Sequence, residues 1–273
     1  MRSIIPFTKV EATGNDFILL NDRDIELDLL NSTVIKKWCD RHFGIGADGL
    51  IHVAFQDLKI PKMTFFNADG SRGKMCGNGL RAVAKYLLTI GVCSKKSENT
   101  IEADDGLHSY FFEDTGLITV ELLVNSSSET LPDLIGLPLP DNVELLGFRR
   151  VGVPHLVLET KEPEFKNFEA LGRSLRYSSV FGTQGTNVNL INSIDENTLQ
   201  VRTYERGVEA ETLSCGTGVT ASTLVFLEKK NPQKTELNIE TRGGKLKVVL
   251  KQGRIFLSGP ANVVFVGHIV LNG

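Results

Sequence analysis

A chain of 273 residues is longer than a single hydrophobic core usually supports, and 41% apolar content is enough to fill one large or two medium domains. A formal net charge of −3 and a pI near 6.0 give no electrostatic footing for nucleic acid or an anionic membrane. No stretch approaches the roughly 18 uncharged apolar residues of a membrane span. The opening MRSIIPFTKVEATGNDF has too short an apolar patch for a secretory leader, and the expected compartment is the cytoplasm.

In chain order, STVIKKWCDRHFG (32–44) reads as a helix with Ser32 or Thr33 as its cap and Val34, Trp38 and Phe43 on an apolar stripe. Cys39 falls on that stripe and reads as a buried packer. GIGADG (44–49) fits the glycine pattern of a dinucleotide loop but follows a helix and precedes the strand-like LIHVAF, the reverse of what such a loop needs, so it is a turn. KMTFF (62–66) and LITVELLV (117–124) look like strands. After Cys76, residues Leu80, Val83, Ala84, Leu87 and Leu88 recur at helical spacing, with Gly91 as a natural stop and Cys93 a bystander beyond it. NSSSETLPDLIGLPLPDN (125–142) is the richest breaker zone and reads as an interdomain connection. After Cys215, the apolar residues Val219, Ala221, Leu224, Val225 and Leu227 surround a helix that stops before Asn231-Pro232, the pattern of a buried central helix. Strands dominate, with about two substantial helices in each half. His42, His52, His108 and His268 stand in no motif and read as structural or solvated.

The second half repeats the first. CGNGLRAVAKYLL at 76 faces CGTGVTASTLVFLE at 215, an offset of 139. FNADGS faces YERGVE, TIEADDG faces NIETRGG and GNDFIL faces GVPHLV, all at offset 138, and TGLI faces QGRI at 137. Five pairs in one order imply two similar domains related by a pseudo-two-fold. The expected boundaries are 1–122, with a C-terminal strand at 266–273 able to complete it, and 123–265. Each domain is expected to be α/β (α+β), a mostly antiparallel sheet or barrel around a central helix.

Cys76 and Cys215 each open such a helix. The first backbone N–H groups there lack an intrahelical partner and the dipole favours negative charge, so a thiolate is stabilised. The glycines beside them let a carboxylate approach the same N–H groups. A site holding one carboxylate with a thiol on each side suits removal of an α-proton from one face and its return to the other. No lysine motif calls for pyridoxal phosphate, no C-x-x-C pair calls for zinc, and neither cofactor nor metal is expected.

ATGNDF, RHFGIGADGL, FNADGS, MCGNGLRA, YERG and ETLSCGTG, in this order and spacing, resemble the diaminopimelate epimerase family. That resemblance implies an active site in the cleft between two pseudo-symmetric domains and interconversion of LL- and meso-diaminopimelate, for lysine and peptidoglycan synthesis. It implies a small-molecule substrate and a homodimer. It assigns Cys215 as proton acceptor and Cys76 as donor in the LL-to-meso direction. Gly77-Asn78 and Gly216-Thr217 would hold the α-carboxylate, Asn15, Asn67 and Asn187 would bind substrate, and so would Glu205 and Arg206. His155 and Glu205 would tune the thiols. Val153 and Gly49 stand where the family often has Asn and Gln, which implies relaxed selectivity toward amino acids such as glutamate. Competing readings are another racemase of the same fold, a non-catalytic amino-acid binder and a thiol redox protein.

Overall fold

The computed structural model describes residues 3–55, 60–73, 75–124, 134 and 136–271. The breaker zone expected to connect the domains lies largely outside them, at 125–133 and 135. The chain forms two compact units, Met1–Glu121 with Ser258–Gly273, and Leu122–Leu257.

The first unit opens on a hairpin, β1 (Ser3–Ala12) and β2 (Asn15–Asn21). Its two-residue loop, Thr13-Gly14, has positive φ at both positions (52° and 81°), as a twist-compatible tight turn requires. Helix α1 (Ser32–Cys39) precedes β3 (Gly49–Ala54), β4 (Lys62–Asn67) and the short β5 (Arg72–Gly73). Helix α2 (Gly77–Thr89) and strands β6 (Asn99–Ala103), β7 (Gly106–Phe112) and β8 (Ile118–Leu122) follow. The strand Asn262–Leu271, β17 by its place at the end of the chain, pairs antiparallel with β1 from Ser3↔Leu271 to Glu11↔Asn262.

The expected helix over 32–44 is shorter than its pattern. Asn31, not Ser32 or Thr33, is the cap, its Oδ1 accepting the Val34 N–H at 3.0 Å. Asp40 ends the helix because its carboxylate takes the His42 and Phe43 N–H groups at 2.8 and 2.7 Å, an alternative to helical bonding. Phe43 therefore leaves the stripe and is 87% exposed, whereas Ile35, Trp38 and Cys39 are buried. They pack with Ile18, Leu20 and Leu50 on one face of the sheet. Alternation leaves Phe17 and Leu19 for the other face, against which α2 packs. Helix α2 ends at Gly91 (φ 74°), where Gly91 N–H bonds Leu88 O and Val92 N–H bonds Leu87 O.

The second unit repeats this path. Strands β9 (Val143–Val151) and β10 (Val153–Thr160) form its opening hairpin, followed by α3 (Phe168–Arg176), β11 (Asn187–Asp195), β12 (Thr198–Glu205) and β13 (Ala210–Thr212). Helix α4 (Gly216–Lys230) and strands β14 (Glu236–Thr241), β15 (Gly244–Lys251) and β16 (Arg254–Gly259) complete it. The pairings match step for step. β2 lies parallel to β3 as β10 does to β11, β3–β4 and β11–β12 are antiparallel, and β4 meets β6 in parallel as β12 meets β14. Leu156, Leu158, Val188 and Leu190 face α3, burying Phe168, Leu171 and Leu175. His155, Asn187 and Asn189 consequently project to the opposite face, the one α4 covers. Helix α4 is buried from Val219 to Leu227 around its whole circumference, as its composition predicts.

Candidate active site

Each cysteine is the N-cap of its helix in extended backbone, φ/ψ −139°/115° at Cys76 and −123°/108° at Cys215. Cys76 Sγ accepts the Gly79 N–H and Cys215 Sγ the Gly218 N–H, both at 3.4 Å. Sulfur thus occupies the place that Ser or Asp oxygen usually fills at a helix start, and receives one of the unsatisfied donors there.

Around Cys76 the first unit assembles Asn15, from the start of β2, and Asn78, from the first turn of α2. The thiol donates to Asn15 Oδ1 at 3.8 Å, and Asn78 Nδ2 donates to the same oxygen at 3.3 Å. Asn15 is oriented from behind by Asp48, whose carboxylate accepts its Nδ2 at 2.8 Å. Gly77 and Asn78 are buried. Asn67 ends β4, and its Nδ2 donates to Ser71 Oγ at 2.9 Å within the FNADGS turn.

Around Cys215 the second unit assembles Thr217, whose hydroxyl lies 3.4 Å from Sγ, and a row of polar side chains under α4. His155 is fully buried, and that burial drives its pKa from 6.5 down to about 3, so the ring is neutral. Asn189 Nδ2 donates to Leu156 O at 3.0 Å and lies 3.2 Å from His155 Nδ1, while Asn189 Oδ1 accepts from Thr203 Oγ1. Asn187 Nδ2 lies 3.5 Å from His155 Nε2, and Asn187 Oδ1 accepts the Arg206 N–H at 2.7 Å. Both ring nitrogens therefore face amide donors, which disfavour the doubly protonated ring. Glu205 and Arg206 begin a turn closed by Glu209 N–H on Glu205 O, at 2.8 Å. Arg176 pins that turn through Glu209 at 2.9 Å, and burial with neighbouring Arg176 and Arg150 lowers the Arg206 pKa.

Sequence reasoning missed Asn189, Thr203 and Arg81. The signal for the first two was available in the repeat, because their counterparts at offset 138 are Ile51 and Phe65. Gly79 packs on Ile51, whereas Gly218 stands against Asn189 and Thr203. Gly49 has a steric reason that its motif does not reveal. A β-carbon there would stand 2.6 Å from both Phe65 Cε2 and the Phe66 carbonyl, so no longer side chain fits without moving the sheet.

The model of the family described as diaminopimelate epimerase matches residues 7–122 and 148–264. Among curated relatives, the diaminopimelate epimerase of Caldanaerobacter subterraneus subsp. tengcongensis is 37% identical, covering 96% of this chain and 98% of its own. That of Aquifex aeolicus is 35% identical, covering 96% and 97%. The chain belongs to the diaminopimelate epimerase family.

Members of this family share their fold with more distant proteins. A hydroxyproline epimerase from Agrobacterium vitis superposes with a TM-score of 0.72 at 15% identity, over 100% of this chain and 95% of its own. A PhzF-family phenazine biosynthesis protein from Bacillus anthracis gives 0.71 at 14% identity, over 98% and 99%. The repeated α/β architecture expected from the internal repeat is the architecture of these neighbours. Among the described residues no helix is long and apolar enough to cross a membrane, and no cluster of His, Cys, Asp and Glu could hold a metal ion.

Proposed function

We propose that this chain epimerises LL-2,6-diaminopimelate to the meso isomer without pyridoxal phosphate, in lysine and peptidoglycan synthesis. The observation that carries the reading is the pair of cysteine N-caps, one per unit, at matched positions of a repeated fold in a diaminopimelate epimerase family chain. In the LL-to-meso direction the Cys215 thiolate takes the α-proton and the Cys76 thiol delivers its own proton to the opposite face. Cys215 ends as thiol and Cys76 as thiolate, and the reverse direction exchanges their roles. The developing carbanion spreads charge into the α-carboxylate. Backbone N–H groups at the helix starts Gly77-Asn78 and Gly216-Thr217 hold that carboxylate and stabilise the charge. Asn15, Asn67, Asn187, Glu205 and Arg206 bind the remainder of the substrate. His155, as a neutral ring, and Glu205 set the acidity of the thiols.

The deciding assay incubates reduced protein with LL-diaminopimelate in deuterium oxide and no added cofactor. Deuterium at the α-carbon with inversion is expected. Each of Cys76→Ser and Cys215→Ser should lower turnover by about two or more orders of magnitude. Near-normal turnover in either variant would rule out the two-thiol mechanism. Binding without exchange would favour an amino-acid binder, and thiol–disulfide turnover a redox protein. The wild type should also accept glutamate, since Val153 and Gly49 supply no polar contact, and Val153→Asn should sharpen the preference for diaminopimelate in kcat/KM. We place the enzyme in the cytoplasm as a homodimer. The exposed apolar residues Val264, Val266 and Val270 of β17 favour that assembly, and a monomeric mass in solution would exclude it.

A further inference from the structure

The Cys76 surroundings contain a cation that the mechanism above does not use. Arg81 lies one turn into α2 and is fully buried, at 0% exposure. Its Nη2 donates to Asn78 Oδ1 at 2.9 Å and to Thr13 Oγ1 at 3.0 Å. Its Nε and Nη1 are buried with no hydrogen-bond partner, and among the described residues no carboxylate ion-pairs with it. A buried guanidinium without an anion is costly enough that such groups are almost always paired.

The charged groups on the surrounding elements are mostly committed elsewhere. From β1, Lys9 pairs with Asp16 of β2 at 2.8 Å, and Asp16 also holds Arg41. Glu11 accepts Asn262 Nδ2 at 2.7 Å and the Gly14 N–H at 3.1 Å. Asp48 is taken by Arg41 and Asn15. His52 of β3 bonds Ile25 O, Lys62 of β4 pairs with Glu102, Lys85 of α2 is half-exposed and His268 of β17 is exposed. Burial lowers the Arg81 pKa to about 10 and leaves it charged at neutral pH, and the negative charges that would oppose that shift are an ionised Cys76 first and Glu11 second. The bond network reaches the same sulfur: Arg81 orients Asn78, Asn78 donates to Asn15 Oδ1, and that oxygen accepts from the Cys76 thiol, a bond that favours the protonated form and that the guanidinium charge opposes. At the matching position of the repeat stands Thr220, whose hydroxyl is satisfied by Gly216 O of its own helix at 2.9 Å.

We propose that Arg81 is a positioning residue whose buried guanidinium is the counter-ion of the Cys76 thiolate, making Cys76 more acidic than its helix start alone would. A thiol whose conjugate base is stabilised gives up its proton readily, which is what the donor in the LL-to-meso direction must do. The inference builds on Cys76 as a working thiol, but acidity is measurable without turnover, so the two can fail separately.

The test is site-resolved iodoacetamide labelling followed by peptide mass spectrometry, across about pH 5 to 10. Arg81→Met should raise the Cys76 labelling midpoint by about one pH unit or more, equivalent to about tenfold slower labelling at neutral pH. Arg81→Lys, which keeps the charge, should restore part of the shift. Cys39 serves as an internal reporter, because it is buried with its thiol pushed up to about 11 and labels early only if the unit opens. An unmoved Cys76 midpoint with Cys39 still protected overturns the proposal. Should Arg81→Met open the unit, Arg81→Gln, which keeps a donor for Asn78 Oδ1 and removes the charge, decides. Its Cys76 midpoint should rise above those of wild type and Arg81→Lys while Cys39 stays protected, and an unmoved midpoint overturns the proposal.

Discussion

His155 makes the second unit sensitive to acid in a way that can be calculated. Burial, with Arg206 and Arg150 nearby, lowers its pKa from 6.5 to about 3. The unfolded chain therefore takes up a proton near pH 6.5, while the native ring stays neutral until about pH 3. A depressed folded pKa means that the stability this group contributes is complete above the unfolded value and is lost as pH falls toward the folded one. At about pH 5, one and a half units below the unfolded pKa, the loss is about 2 kcal/mol. His155→Gln removes the titration, so its unfolding free energy should fall less between about pH 7 and 5 than that of the wild type, by that amount. Urea denaturation followed by far-UV circular dichroism measures the difference. A C2 proton resonance of His155 that stays constant down to about pH 4.5 would accompany it. Equal losses in both proteins, or a ring that titrates near 6.5, would refute the assignment of a neutral, buried imidazole.

Asp16→Asn should cost about 3–5 kcal/mol, because it leaves the buried Lys9 without its anion. Although burial pushes the Asp16 carboxyl up, Arg41 and Lys9 bring it to about 2. The wild-type advantage over this variant is therefore present above about pH 3.8 and lost toward pH 2, which denaturation at the two extremes would reveal. Gly218→Ala drives a β-carbon into Asn189 Oδ1 and to 2.9 Å from Thr203 Oγ1, and should cost about 1–3 kcal/mol together with turnover. Gly79→Ala, which meets Ile51 and Cys76 at 3.2 Å, should cost less, and a reversed order of the two melting temperatures would contradict the packing described.

Much of the framework of the candidate site was legible in the sequence because its strongest signals are local. A cysteine followed by glycines and a periodic apolar run specifies a helix start, and the same pattern 139 residues later specifies a repeat. Local signals failed where two local bonds competed. The stripe over 32–44 continues through Phe43, yet the Asp40 side chain ends the helix three residues earlier.

The sequence by itself determined the family, the duplicated plan and the matched helix starts at Cys76 and Cys215. These depend on residue type and spacing along one chain, which folding does not alter. Tertiary structure alone decided how each thiol is surrounded. Which strand row lies under α4 makes His155 neutral, since register and alternation bury it there with Asn187 and Asn189. Burial against β1 turns Arg81, an ordinary helix residue by pattern, into a cation with two unpartnered donors. Charge state is a property of surroundings, and surroundings exist only once strands from distant parts of the chain have paired.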